Sequence, residues 1–213
     1  MKAVCIYPAD ETTEFLRPIY DALSSLPSFI GVELTTDEKN IEEAINAINA
    51  CDENDYIIFL GHGASHCLYK IDRTLFIGSD EFQMFQNKRI FLFACRSAEF
   101  ITRNSTITPR EHIGFGNMLT DWSEVVVERD ADVNAYPGID KDIISEYRGI
   151  LTEIISETLV KTLDSAENYH LLFLRIKLSL NKKIAHLLTE KTTLGYRVLA
   201  NLLYNTKVEM IFG

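Results

Sequence analysis

Two five-residue stretches, Tyr56-Ile57-Ile58-Phe59-Leu60 and Ile90-Phe91-Leu92-Phe93-Ala94, are apolar at every position. A strand with one face in water alternates apolar and polar residues, because successive side chains point to opposite faces. A strand without that alternation has to be covered on both faces, the situation of a parallel sheet carrying crossover helices. Both stretches are strand-sized and far short of the roughly 20 apolar residues of a membrane-spanning helix. Their neighbours supply the covering helices. Residues 2–7 (KAVCIY) read as a first buried strand and residues 31–34 as a second. Between them, residues 11–26 carry Phe15, Leu16, Ile19, Tyr20 and Leu23 at helical spacing, and Pro18 is expected to kink that helix or delay its start. Residues 38–51 place Ile41, Ala44, Ile45 and Ile48 on one face of another helix. Repeated β-α-β units of this length predict an α/β fold with a mostly parallel central sheet and helices on both faces.

Between the two apolar strands the pattern changes. Residues 68–70 and 74–77 read as a hairpin around Asp72-Arg73, and residues 80–86 as helical. Residues 102–111, rich in Asn, Ser and Thr with Pro109, read as an exposed loop, and residues 125–128 as a fifth strand. From Lys141 onward the chain reads as helix. One stripe is Ile143, Tyr147, Ile150, Ile154 and Ile155; a second is Tyr169, Phe173, Ile176, Leu180, Ile184 and Leu187. Asp164 followed by Glu167 has the spacing of a capping box opening the second helix. Residues 208–212 read as a closing strand. No internal repeat interrupts this order, and residues 1–213 are expected to form a single domain.

The formal net charge of −10 argues against nucleic acid as a partner, since phosphate contacts need a basic surface. No apolar run suits a membrane, and the opening Met1-Lys2-Ala3-Val4 enters a strand without signal-peptide architecture, so the expected location is the cytoplasm. The four cysteines, at positions 5, 51, 67 and 95, form no C-x-x-C pair and read as free thiols.

In open parallel sheets, reactive groups gather beyond the carboxyl ends of the strands. One apolar strand runs into Gly61-His62-Gly63 and the other into Cys95-Arg96-Ser97. A histidine and a cysteine at the ends of neighbouring strands suit nucleophilic catalysis: the thiolate attacks a carbonyl carbon and the imidazole moves the proton. Gly63, lacking a Cβ, lets a substrate carbonyl approach the backbone, so its N–H and that of Cys95 are candidates for an oxyanion hole. Taken singly, each feature has a plainer reading. His-Gly after a strand is common turn chemistry, and a buried cysteine is usually an inert small hydrophobe. Cys5 and Cys51 are assigned to packing. His66 and Cys67 with the candidate pair lack any standard metal-ligand spacing, so no metal is expected. Gly61-x-Gly63-x-x-His66 lacks the third glycine and the helix of a dinucleotide site, and no cofactor is expected.

An apolar strand ending in His-Gly, a short hairpin, and a second apolar strand ending in Ala-Cys resemble the caspase-like cysteine peptidases (clan CD), closest to the bacterial CHAT-domain proteins. The matching segments are residues 57–63, 68–77 and 89–97. Residues 114–124 (GFGNMLTDWSE) resemble, more loosely, the helical turn before the next strand of that fold, and residues 210–213 its closing strand. Phe93-Ala94-Cys95-Arg96-Ser97 differs from the caspase pattern Q-A-C-[RQG]-G at its first and last positions, which sets it nearer the CHAT branch. The resemblance implies a caspase-like three-layer sandwich with a helical C-terminal part. It also implies a cysteine endopeptidase working through a His62–Cys95 dyad on a protein substrate, regulated by an attached or co-encoded partner. In that fold the loop leaving the first strand often supplies a charged group to the primary specificity pocket. Here that loop carries Asp10, and Asp130 and Asp132 are expected to add negative field, which predicts a basic residue before the cut. Asp10 equally suits the role of helix N-cap. The competing reading of the whole chain is a non-catalytic, caspase-like interaction module. A flavodoxin-like sheet protein is disfavoured, because the strand ends lack the acidic cluster and the hairpin does not fit.

Overall fold

The two all-apolar strands lie side by side at the centre of the sheet, as their lack of polar positions requires. In the computed structural model, which describes residues 2–165 and 168–213, the strands are β1 (Ala3–Pro8), β2 (Phe29–Leu34), β3 (Tyr56–Leu60), β4 (Gly63–Ala64), β5 (Cys67–Tyr69), β6 (Leu75–Ile77), β7 (Arg89–Phe93), β8 (Glu111–Gly114) and β9 (Ile211–Phe212). Six of them form one sheet in the order β2-β1-β3-β7-β8-β9. All neighbours are parallel except β8 and β9. The short strands β4, β5 and β6 form a separate antiparallel sheet.

Alternation along the central strands sends side chains into two cores. Cys5 and Tyr7, Ile58 and Leu60, and Phe91 and Phe93 enter one; Val4 and Ile6, Ile57 and Phe59, and Ile90 and Leu92 enter the other. The first core is closed by α1 (Arg17–Ser24), α5 (Lys141–Asp164), α6 (Tyr169–Glu190) and α7 (Tyr196–Glu209). The second is closed by α2 (Glu38–Asn49), α3 (Ser97–Arg103) and the β4–β6 sheet. Each fully buried Ile, Leu or Phe is worth about 1.5–3 kcal/mol over its exposed state, so this two-sided burial is the main stabilising term. Tyr169 Oη donates to the Ile90 carbonyl at 2.5 Å and fixes the start of α6 against the middle of the sheet.

The helix boundaries have local causes. Pro18 stands in the first turn of α1, where its missing N–H goes unused, and a 3-10 turn at Glu14–Leu16 takes the chain up to it. The proline thus delays the helix rather than kinking it. Asp37 caps α2 by accepting the Lys39 N–H, and Asp140 caps α5 by accepting that of Ile143. The α6 cap is Asn168, accepting the His170 N–H; Asp164 ends α5, and Glu167, the other half of the expected capping box, lies outside the described residues.

The fifth strand is not where the sequence pattern puts it. Val125-Val126-Val127 belongs to α4 (Trp122–Ala131), and only Val125 is buried; Val126 and Val127 are 41% and 66% exposed. A helix hides part of such a triplet, whereas a strand covered on both faces hides all of it. Asp121 accepts the Ser123 N–H and starts α4. The fifth strand is β8, which begins at Glu111, the last residue of the stretch read as exposed loop, and runs on beyond it; Glu111 is aligned to Arg89 and ion-paired to it at 2.6 Å. The closing strand is shorter than expected, because Val208 and Glu209 finish α7.

Candidate active site

The chain runs from β1 outward to β2, then returns through α2 to β3 on the other side of β1. Strand order therefore reverses between β1 and β3, and a crevice opens beyond their carboxyl ends, where α/β sheets bind ligands. His62 follows β3 at this point. Leu60 pairs with Phe93 of β7, and the Gly61 N–H continues the ladder to the Phe93 carbonyl at 3.2 Å. Two residues further on, that register sets His62 against Cys95. Leu60 and Phe93 enter the same core, and Cys95 packs against it too, so the pair extends one face of the sheet.

His62 and Cys95 line one narrow cavity with Leu16, Met118 and Thr120. The space in it open to a water-sized sphere is about 10 Å³, near the lower limit for one water molecule. On its other side Cys95 borders a cleft of about 610 Å³, with Gly63, Arg73, Glu124, Glu128 and Tyr136 among its walls. Cys95 thus stands between a closed pocket holding the imidazole and an open cleft wide enough for a side chain.

Backbone shape holds the cysteine there. Arg96 adopts φ 57°, a left-handed conformation unusual for a residue with a Cβ, and turns the chain from β7 into α3. Ser97, fully buried, donates to the Leu92 carbonyl at 2.7 Å and accepts the Phe115 N–H at 2.9 Å, tying the turn to the segment after β8. No backbone carbonyl among the described residues takes the Cys95 N–H. A Cβ on Gly63 would lie 2.8 Å from the Cys95 carbonyl oxygen, so the glycine serves a close approach of two backbones.

The pair rests uncharged. Burial, helped by the Glu124 carboxylate, pushes the Cys95 thiol up to about 11, against hydrogen bonding at Met118 and Thr120 and the weaker pull of Arg73. The Sγ lies 2.9 Å from the Met118 carbonyl, to which it donates. Burial and the Arg73 guanidinium push the His62 imidazole below its ordinary value, with Asp10 opposing. Arg73 is itself held by Asp121 at 3.0 Å, and Arg148 donates through Nε to the Thr120 carbonyl while lying 4.8 Å above the Phe15 ring.

The other residues singled out in the sequence are placed differently. Asp10 Oδ1 accepts the N–H groups of Thr12 and Thr13 at 2.9 and 3.0 Å and the Thr12 hydroxyl at 2.6 Å. The Thr12 hydroxyl lies 2.5 Å from His62 Nε2. Asp10 is thereby engaged inside its own loop, on the imidazole side of the site. Asp130 and Asp132 are exposed at the end of α4, and neither lines the cleft. The carboxylates that do are Glu99, Glu124 and Glu128. Glu124 and Glu128 share one face of α4 by their four-residue spacing, a signal hidden by the strand-like valine triplet. Thr12 and Thr120 carried no sequence signal at all. Among the described residues, no three His, Cys, Asp or Glu side chains group to hold a metal ion, and no helix is long and apolar enough to cross a membrane.

Fold and site together define a mostly parallel α/β protein with a histidine and a cysteine at adjacent strand ends of its switch-point edge. Family models, curated proteins and solved structures give no match to the chain.

Burial also pushes His112 of β8 below its ordinary value of 6.5, and its Nδ1 is buried without a partner among the described residues. A histidine whose folded pKa lies below its unfolded one binds fewer protons when folded. Its contribution is intact above about 6.5 and is lost as pH falls toward the folded pKa. Unfolding free energies from urea titration are therefore expected to fall between pH 7 and pH 5, by at most about 1.4 kcal/mol per pH unit for each such group. His112→Leu is expected to flatten the curve; an equal acid loss in that variant would assign the effect elsewhere.

Proposed function

We propose that the protein is a caspase-like cysteine endopeptidase, acting on a protein substrate through Cys95 and His62. The observation that carries this reading is their shared cavity at the ends of two adjacent parallel strands, with the sulfur also bordering an open cleft. Cys95 gives its proton to His62 and attacks the scissile carbonyl carbon. The N–H of Cys95, with that of Gly63, holds the oxyanion that forms. His62 then delivers the proton to the departing amine, leaving a thioester. A water molecule gives a proton to His62 and adds to the thioester carbonyl; the C–S bond breaks, and the thiolate recovers the proton.

Glu128, with Glu124 partly offset by Arg73 at 4.0 Å, gives the cleft a negative wall, which suits an arginine or lysine side chain before the cut and stands where the sequence pattern points to Asp10, Asp130 and Asp132. The resting thiol, at a pKa of about 11, suits an enzyme that works slowly by itself and is accelerated when a co-encoded partner raises its thiolate fraction. The same thiol favours a second reading, a non-catalytic interaction module, in which about one Cys95 in a thousand is ionised at pH 8 and nothing raises that fraction.

Peptidyl acyloxymethyl ketones separate the two readings. The peptidase is expected to form an adduct on Cys95, located by mass spectrometry, faster with arginine than with aspartate before the electrophile. His62→Ala should suppress it. Equal labelling in His62→Ala, or adducts on the other cysteines alone, would overturn the assignment.

A further inference from the structure

We propose that Thr12 and Asp10 are a positioning pair for His62: they fix its neutral tautomer with the proton on Nε2 and reserve Nδ1 for the Cys95 proton. The inference rests on reading His62 and Cys95 as a catalytic pair, but its structural half can be tested without catalysis.

The direction of the hydrogen bonds follows from counting protons. Asp10 Oδ1 already takes two backbone N–H groups, at 2.9 and 3.0 Å, and stands 2.6 Å from the Thr12 hydroxyl. An oxygen receiving two N–H donors acts as acceptor toward the third group as well. The single hydroxyl proton of Thr12 is therefore directed to Asp10. Toward His62 Nε2, at 2.5 Å, the same oxygen has only lone pairs to offer. Nε2 must then carry the hydrogen. The reverse assignment, Thr12 donating to Nε2, would leave two acceptor oxygens facing each other at 2.6 Å.

The loop that presents these groups is held at several points. Thr13, 1% exposed, donates its hydroxyl to the Pro8 carbonyl at 2.5 Å and accepts the Asp10 N–H at 3.1 Å. The chain leaving β1 is thus fastened back onto the strand end, and Thr12 faces His62 across the switch point. With Nε2 committed, a neutral ring has its lone pair on Nδ1. When the Sγ proton moves to Nδ1, the imidazolium that forms donates more strongly through Nε2 to Thr12, and Asp10 stabilises the positive charge through that hydroxyl. Burial and Arg73, which hold the resting ring neutral, are partly offset by this carboxylate.

The experiment combines ring-nitrogen NMR with reaction rates. In the full-length chain at neutral pH, long-range nitrogen–proton spectra of His62 are expected to show a protonated Nε2 and a bare Nδ1. Thr12→Ser should keep that pattern and the rate of Cys95 alkylation by an arginyl acyloxymethyl ketone. Thr12→Val, of the same shape, should mix the tautomers and slow alkylation about 10- to 100-fold, the scale on which misplaced reacting groups lose rate. Asp10→Asn keeps an acceptor but removes the charge, so the tautomer should persist while the His62 titration midpoint moves to lower pH. A protonated Nδ1 in the unmodified chain, or a Thr12→Val protein with unchanged spectra and rate, overturns the proposal. If His62→Ala leaves Cys95 alkylation untouched, the catalytic pair fails by itself, and the spectra still decide the tautomer.

Discussion

Cys95→Ala is expected to remove all peptide cleavage while leaving the fold within about 1.5 kcal/mol of the parent, because the change deletes one hydrogen bond and one sulfur at a cavity wall. The sulfur is the only side-chain atom of the residue with a chemical part to play, and no other cysteine can replace it: Cys5, Cys51 and Cys67 are buried in the body of the protein. Alanine preserves the turn at Arg96 and the backbone N–H proposed for the oxyanion. In a chain of 213 residues, a loss of 1 kcal/mol lowers Tm by about 2–4 °C. Thermal melts of the two proteins should therefore nearly coincide while their hydrolysis of an arginyl peptide differs completely. A different outcome has a definite meaning. Large-to-small changes in a packed core cost about 2–5 kcal/mol. A loss of that size on Cys95→Ala, with cleavage absent in both proteins, would make Cys95 a core residue and leave the interaction module as the better reading.

How much of this was legible in the sequence follows from where each residue is buried. β1, β3 and β7 could be read because both their faces are covered, which writes a continuous apolar run that few other structures tolerate. His62 and Cys95 could be read for the same reason, since each follows such a run directly. β8 could not: Glu111-His112-Ile113-Gly114 has one strongly apolar residue, and its place is set by pairing with β7 and by the Arg89–Glu111 ion pair. α4 was hidden by three β-branched residues whose strand propensity was overridden by the Asp121 cap and by exposure of two of them. Thr12 was hidden differently. Asp10-Glu11-Thr12-Thr13 reads as a helix start, and nothing local distinguishes a threonine that reaches a histidine 50 positions away. Partners brought together by the strand-order reversal are adjacent only in space.

Gly63→Ala is expected to lower kcat/KM about 100-fold or more, since a displacement of 1 Å at a reacting group has about that effect. The new Cβ would stand 2.8 Å from the Cys95 carbonyl oxygen and 2.9 Å from the Ala94 Cβ. Neither atom can swing aside, because one belongs to the backbone and the other to a fully buried alanine. The backbone of Gly63 has no positive φ that would itself exclude alanine, so the effect is one of space. Relief requires the β4 strand to move away from the end of β7, which separates the two N–H groups proposed for the oxyanion and shifts Cys95 relative to His62. Overpacking of this kind destabilises by about 1–3 kcal/mol, so the folded variant should be recovered with a lowered urea midpoint. Gly149 supplies the control. It lies inside α5, where an added Cβ meets nothing within 4 Å, and Gly149→Ala should raise stability by about 0.5–1 kcal/mol and leave cleavage unchanged. If Gly63→Ala lowers stability but labels at Cys95 and cleaves like the parent, the glycine serves strand packing alone, and the oxyanion must be held by other donors.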